Sequence, residues 1–365
     1  MKILHIVSNI SRSSGIMTMI MNYYRYIDRD KVQFGFLYYD KSSETFEDEI
    51  IRLGGETFYI CRPTHIVAFR KDINKLSKRI KDQYDVMHIH DFFMPVFFTK
   101  LKNKAHVAKM VVHSHVSKFS DVGGFSSLRN RFLALPNALL VEHYFASSAK
   151  AGNTIFGKEF NKKGTVIKNA IDVSRFYPDG ELAAKARHEL GIDGKFVIGH
   201  IGNLYPPKNH YMIIDIFREL IKKKSNAVLV LVGDGPLRKE IEEYAYDVKD
   251  HLIMLGLRAD TDYLYRSFDR FLFPSKFEGL GIALIEAQAC GVPCVFSDMI
   301  PEEANVNQVT NVSLSLSAPV DEWCNALLQK KDVDSDCVLD LIRDAGYDIS
   351  KEASHLISEY SKILH

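Results

Sequence analysis

Residues Arg270–Phe296, RFLFPSKFEGLGIALIEAQACGVPCVF, decide how this chain is read. A short apolar run ends at Leu272–Phe273. A loop holding Gly279, Leu280 and Gly281 follows. Next comes an apolar helical stretch, Ile282–Ala289, that carries Glu286, and then a Gly-Val-Pro turn and a second apolar run, Pro293–Phe296. Strand, loop, helix, strand is the repeating unit of a parallel sheet, whose strands are covered on both faces and read as continuous apolar runs. The glycines admit close backbone approach, and the helix start offers unpaired N–H groups and the positive end of a dipole. Such a place suits a diphosphate. Glu278 is placed to accept hydrogen bonds from sugar hydroxyls, and Glu286 to hold two vicinal hydroxyls. An ordinary helix start with one partly buried Glu accounts for the same residues, so this stretch alone leaves both readings open.

The same alternation extends outward in both directions. The strand pattern recurs at Ile3–Val7, Gln33–Tyr39, Val86–His90, Met110–His113, Tyr144–Ala146 and Thr165–Ile167, then at Phe196–Ile201, Ala227–Val232, Leu252–Met254 and Arg270–Leu272. Helical patterns lie between, at Met17–Ile27, Asp72–Asp82, His210–Lys222 and Pro236–Tyr246. Two such series in 365 residues predict an α/β fold of two doubly wound, Rossmann-like domains. The break falls at Asn169–Pro178, giving domains 1–168 and 169–348. The last helical pattern, Ile349–Leu364, is expected to return to the first domain. Ligands of such sheets bind beyond the carboxyl ends of the strands, so the residues at those ends matter most.

Hydrophobic residues make up 46% and charged residues 25%, the balance of a globular protein. No run of about eighteen apolar residues is present, so no membrane-spanning helix is expected. The start, MKILHIVSNISRSSGI, reads as a buried strand rather than a signal peptide. Five cysteines without a Cys-x-x-Cys pair point to reduced thiols and a cytoplasmic protein. Cys290 and Cys294 have no second ligand pair nearby for zinc. Residues 1–168 carry 26 Lys and Arg against 15 Asp and Glu, a balance of +11, while the remainder carries −10. Two domains of opposite sign would attract each other; alternatively, the basic half approaches an anionic lipid leaflet or a lipid diphosphate at the inner membrane face. No nucleic-acid motif accompanies the charge, so nucleic acid is not an expected partner.

Several segments in order carry a family resemblance. The Glu278–Glu286 stretch resembles the Glu–seven residues–Glu motif of retaining glycosyltransferases of family 4, which have the GT-B fold, two Rossmann-like domains facing a cleft. TVIKNAIDVSRF (Thr165–Phe176), FVIGHIGNLYPPKNH (Phe196–His210), LVLVGDGPL (Leu229–Leu237) and LGLR (Leu255–Arg258) resemble its other motifs. The resemblance implies a hexosyltransferase that moves a hexose or N-acetylhexosamine from a nucleoside diphosphate sugar, with uridine as the base, to a saccharide or lipid-linked acceptor in capsular or exopolysaccharide assembly. It implies no cofactor and no metal. Lys208 is then expected at the diphosphate, Glu278 at the donor sugar and Glu286 at the ribose. The backbone of Gly279, Leu280 and Gly281 is expected to meet phosphate or sugar. Gly202 would admit the phosphates, and Gly256, Leu257 and Arg258 would border the base. The family has Arg where this chain has Asn203, which leaves the diphosphate more dependent on Lys208 unless Arg258 or Lys276 compensates.

The first half holds DVMHIHD (Asp85–Asp91) and VVHSH (Val111–His115). His88 with His90, and His113 with His115, share strand faces. A metal site is one reading of two such pairs; polar residues at strand ends are the commoner one. These segments resemble the family's D-V-V-H-x-H and H-T-H stretches, which implies His115 beside the donor sugar as a catalytic residue with Lys208 and Glu278. His88 and His113 are expected to be satisfied structural histidines. Ser14–Gly15 stands where the family has Gly-Gly, so Gly15 is a candidate phosphate contact, although Ser14 also reads as a helix cap. The Asp-x-Asp strings at Asp332–Asp336 read as a solvated loop rather than a metal site. Two rival classes remain: a non-catalytic sugar-nucleotide-binding subunit, which would bind donor and release nothing, and a different enzyme on the same fold, such as a sugar-nucleotide epimerase, which would need no acceptor, or a sugar phosphorylase, whose cofactor-lysine motif is not found.

Overall fold

The computed structural model describes residues 1–116, 124–330 and 335–365. The chain divides into two compact units, Met1–Ala170 with Ile349–His365, and Ile171–Asp348.

The first unit is built on strands β1 (Lys2–Val7), β2 (Gln33–Tyr38), β3 (Glu56–Tyr59), β4 (Val86–Ile89), β5 (Lys109–Ser114), β6 (His143–Ala146) and β7 (Gly164–Val166). They form one sheet in the order β3-β2-β1-β4-β5-β6-β7, and every pairing is parallel. β1 sits between β2 and β4, so the winding reverses there. Ile3, Ile6 and Val7 of β1, Val86 and Ile89 of β4, and Val111 and Val112 of β5 are essentially sealed from solvent, as expected of strands covered on both faces.

The C-terminal helix, Ile349–Leu364, belongs to this unit and packs on the helix Gly15–Tyr26. It buries Ile349, Ala353, Leu356 and Tyr360 in one cluster with Met17, Ile20 and Tyr23. These four positions lie on one stripe of a 3.6-residue repeat. The Tyr360 hydroxyl lies 2.5 Å from His88 Nδ1, and the Thr165 hydroxyl donates to Glu359 at 2.9 Å.

The second unit holds β8 (Phe196–Ile201), β9 (Ala227–Val232), β10 (Leu252–Met254), β11 (Arg270–Phe273), β12 (Cys294–Ser297) and β13 (Val312–Leu314). Their order is β10-β9-β8-β11-β12-β13, again all parallel. The winding reverses between β8 and β11. A crevice outside the carboxyl ends of these two strands is where such a sheet takes a ligand. The sequence reading missed two strands, β3 and β13. Both are short edge strands, and ETFY and VSL hold too few apolar residues to stand out.

Among the described residues no helix is long and apolar enough to cross a membrane. Cys61, Cys290, Cys294 and Cys324 are free thiols.

Tyr360 tests the docking of the C-terminal helix. We expect Tyr360→Phe to cost about 1 kcal/mol, the net value of one hydrogen bond, and Tyr360→Ala about 3–5 kcal/mol, the cost of emptying a buried aromatic site. Urea unfolding followed by circular dichroism measures both. Equal and small losses would show that the helix is not part of this core.

Candidate functional site at the β8–β11 switch

The turns after β8, β9 and β10 are bonded into one layer. Gly202 N donates to Val232 O at 2.9 Å, Leu204 N to Asp234 O at 3.0 Å and Gly233 N to Gly256 O at 2.8 Å. Gly233 has φ +136, and a Cβ there would stand 2.1 Å from the Gly202 carbonyl oxygen. Only glycine fits, and this is the physical content of the Gly-Asp-Gly-Pro turn.

Lys208 ends a short turn, Pro206–Lys208, that is lashed to the loop after β11. Lys276 N donates to Pro207 O at 2.7 Å, and Asn209 Nδ2 to Pro274 O at 3.1 Å. The lashing carries the Lys208 ammonium to 2.5 Å from Glu278 Oε1, with the two side chains only 21% and 12% exposed. The ammonium also lies 5.0 Å from the centre of the Phe273 ring. Gly281, with φ +90, turns the chain into the helix Ile282–Ala289. A Cβ on Gly281 would be 3.9 Å from Glu278 Cγ. Lys208, Glu278 and the N-terminus of that helix therefore meet at one point, just past the ends of β8 and β11. Gly279 and Leu280 span the gap, with Leu280 buried beneath it.

Glu286 lies farther along the same helix. The Tyr265 hydroxyl donates to its Oε2 at 3.0 Å. Burial pushes its carboxyl up to about 7, partly offset by that hydrogen bond and by the nearby charge of Arg175. Gly256 takes φ +68, and Leu257 is 44% exposed beside it. Arg258 is engaged by Asp260 through two hydrogen bonds, at 2.8 and 2.5 Å, so its charge is already answered. The Lys276 side chain is exposed. The Asn203 carbonyl accepts from Tyr205 N at 2.8 Å, which fixes the backbone of the turn rather than replacing a cation.

Sequence reasoning missed His200 and His210, which flank Lys208 in the chain. His200 Nδ1 is held by the Leu272 carbonyl at 2.9 Å, and its ring meets that of His210 edge to face at 5.0 Å. Both are buried and held below the usual imidazole range, chiefly by burial and also by the Lys208 charge. FVIGHIGNLYPPKNH contains both, but only the fold shows them together.

In the first unit, Ser14 caps the helix Gly15–Tyr26 by accepting from Met17 N at 3.3 Å. Gly15 is exposed there, and a Cβ on it would meet nothing within 4 Å, so packing does not require the glycine. Five histidines form one layer on the sheet beneath that helix. His5 pairs in register with His88 across β1 and β4. His88 stacks on His90 at 4.1 Å between ring centres, and His113 on His115 at 4.0 Å. The expectation that His88 and His113 are satisfied is corrected: His88 Nδ1 meets the Tyr360 hydroxyl, but among the described residues His88 Nε2 and both nitrogens of His113 are buried without a hydrogen-bond partner. The groups His5, His88, His90 and His90, His113, His115 each bring ligand-capable atoms within 4.8 Å. The stacked pairs are close to parallel, 24° for His88 on His90 and 27° for His113 on His115, whereas His5 with His90 and His90 with His115 face each other nitrogen to nitrogen. Of the Asp-x-Asp strings, 331–334 lie outside the described residues.

Residues 195–329 match the family described as Glycosyl transferases group 1. EpsF of Bacillus subtilis (strain 168), named as a glycosyltransferase, is 31% identical over 376 residues, covering 99% of this chain and 96% of that protein. The chain belongs to the group 1 glycosyl transferases. It is also 27% identical, over 75% of this chain and 73% of the relative, to an Escherichia coli UDP-Gal:α-D-GlcNAc-diphosphoundecaprenol α-1,3-galactosyltransferase. The structure of HepE from Anabaena, solved with UDP and glucose, superposes with a TM-score of 0.81 at 18% identity, covering 99% of this chain and 100% of that one. The fold is thus the GT-B type, and the chain is a glycosyltransferase.

This transferase buries the five histidines of that layer neutral. His5 and His115 are lowered to about 3 by burial, and His88, His90 and His113 lie well below 6.5 for the same reason. Unfolding in acid lets each take up a proton, so stability present above pH 6.5 is lost as pH falls toward the folded values. Each ring contributes up to about 1.4 kcal/mol per pH unit. We expect a melting midpoint that is flat above about pH 7.5 and falls steeply between about 6.5 and 5, before most carboxylates titrate. A midpoint flat down to pH 5 would contradict burial of the neutral rings.

Proposed function

We propose that the chain transfers a hexose or N-acetylhexosamine from a UDP-sugar, with retention at the anomeric carbon, to a saccharide or lipid-linked acceptor in capsular or exopolysaccharide assembly. The observation that carries this reading is the meeting of Lys208, Glu278 and the start of the helix Ile282–Ala289 at the β8–β11 switch. A cation and a row of amide groups at a parallel-sheet switch point fit a diphosphate. In this structure Glu278 neutralises Lys208. With donor bound, the ammonium turns to the diphosphate and the carboxylate to the sugar hydroxyls.

The bond from the anomeric carbon to the β-phosphate oxygen breaks, and its electrons leave with UDP. The acceptor oxygen forms the new bond on the same face and gives its proton to the departing phosphate oxygen. Lys208 and the helix amides stabilise charge that grows on the leaving group, which is where such groups contribute most. Lys208 supplies the charge that a divalent ion supplies elsewhere, so the reaction runs without metal. Glu286 holds the ribose, the Gly256–Arg258 turn borders the uracil, and His115 touches substrate. UDP and undecaprenyl diphosphate appear in the names of similar proteins, which supports this donor and a lipid-linked acceptor. The basic first unit suits a peripheral position on the anionic cytoplasmic membrane face.

Release of UDP from a panel of UDP-sugars, with and without an undecaprenyl-diphosphate saccharide, tests the proposal. We expect acceptor-dependent release that persists in EDTA and falls about 10²–10³-fold in Lys208→Ala. Donor binding without release under all acceptors would make the chain a non-catalytic subunit. Retained product configuration is read by NMR of the glycoside.

Glu286 adds a pH dependence. Only its ionised form accepts from two hydroxyls, and its carboxyl titrates at about 7. UDP affinity should therefore tighten as pH rises through about 7, changing up to about tenfold per unit below it. Titration calorimetry from pH 6 to 8.5 measures this, and Glu286→Gln should flatten the profile. A wild-type profile that is already flat would remove Glu286 from the ribose.

A further inference from the structure

Three of the five histidines of the first-unit layer are joined in a single hydrogen-bonded chain. His5 Nδ1 lies 2.9 Å from His90 Nε2, and His90 Nδ1 lies 2.9 Å from His115 Nε2. The chain runs outward: His5 is 1% exposed, His90 3% and His115 9%. His115 follows the last residue of β5 and is the end nearest solvent. Its other nitrogen, Nδ1, makes no hydrogen bond among the described residues. At the inner end, His5 Nε2 is buried with no partner among the described residues.

A neutral imidazole has one N–H and one lone pair. Three neutral rings sharing two protons head to tail therefore have two orders. In one, His115 Nε2–H donates to His90, His90 Nε2–H donates to His5, and His5 must carry its proton on Nε2. That order buries an N–H that no described residue receives. In the other, His5 Nδ1–H donates to His90 Nε2 and His90 Nδ1–H donates to His115 Nε2. Only a lone pair is then left at His5 Nε2. Orphaned buried N–H groups are rarer than under-satisfied acceptors, which favours the second order. The surrounding stack holds the rings in place: His88 lies against His90, and its own Nδ1 is anchored by the Tyr360 hydroxyl.

We infer that His5 and His90 are positioning residues that fix the tautomer of His115, so that it presents Nδ1–H outward as a hydrogen-bond donor to a substrate oxygen. His115 is thereby a donor and not a general base. Which substrate oxygen it meets rests on the reading of His115 as a substrate contact in the proposed transferase; the tautomer does not. A proton arriving at one end would have to be passed along the whole chain, and the inner end has no acceptor beyond His5. The far ring thus sets the direction for the near one.

The test is the tautomeric state of His115 in the full chain, labelled with 15N-histidine. Long-range 15N–1H spectra separate a protonated ring nitrogen from a bare one, and the peaks missing in His115→Asn assign the ring. We expect protonated Nδ1 and bare Nε2 in His115, without any substitution in the cluster. The opposite tautomer, an imidazolium, or a collapse of the His90 signals on adding stoichiometric zinc would overturn the inference, the last by showing that a metal ion rather than a proton links the rings. His90→Phe should leave His115 a mixture of tautomers and lower kcat about three- to tenfold, the worth of one hydrogen bond, with KM for donor little changed. His115→Asn, whose amide nitrogen takes the place of Nδ1, should keep more activity than His115→Gln, whose nitrogen takes the place of Nε2. A correct tautomer with full activity in both variants would sink the substrate contact and leave the fixed tautomer standing.

Discussion

An ammonium and a carboxylate, Lys208 and Glu278, share one partly buried spot at the carboxyl ends of β8 and β11. Two charges taken mostly out of water repay their desolvation only when their geometry is close and their surroundings help. Here the surroundings are a Phe273 ring beneath the ammonium and the amide end of a helix beside the carboxylate. That carboxylate sits beside a helix N-terminus, whose dipole suits any anion, a phosphate included. A site that holds its own anion in this way is already arranged for another.

Most of what places this pair is backbone. The crossing of the winding between β8 and β11 leaves space at their ends, and the glycine turns after β8 and β9 close to 2.8–3.0 Å bonds because Gly233 has no Cβ. Asn209 and Lys276 then tie the Lys208 turn to the β11 loop. The residues of the pair are 70 apart in the chain, and neither loop would hold them without the sheet. The first unit uses the same winding for another purpose. Its switch lies between β1 and β4, and its face there is a layer of neutral imidazoles sealed by two helices.

Much of this was legible in the sequence. Continuous apolar runs marked the central strands of both sheets because parallel strands are covered on both faces. The Gly-Asp-Gly-Pro turn and the Glu278–Glu286 stretch pointed to the ends of β9 and β11, where the fold puts them. The edge strands Glu56–Tyr59 and Val312–Leu314 escaped notice, since a short strand with one open side needs few apolar residues. The histidine pairs of β4 and β5 were visible from their two-residue spacing. His5 and Tyr360 were not, because they join the layer through strand register and through a helix more than two hundred residues away. The ion pair of Arg258 with Asp260 was equally hidden.

The most direct measurement is a crystal structure of the chain soaked with UDP. The account places the diphosphate between Lys208 Nζ and the backbone amides at Gly279–Ile282, with Glu278 released from the lysine and the ribose on Glu286. UDP bound elsewhere on the chain, or bound while Lys208 remains paired to Glu278 and touches no phosphate, would contradict it.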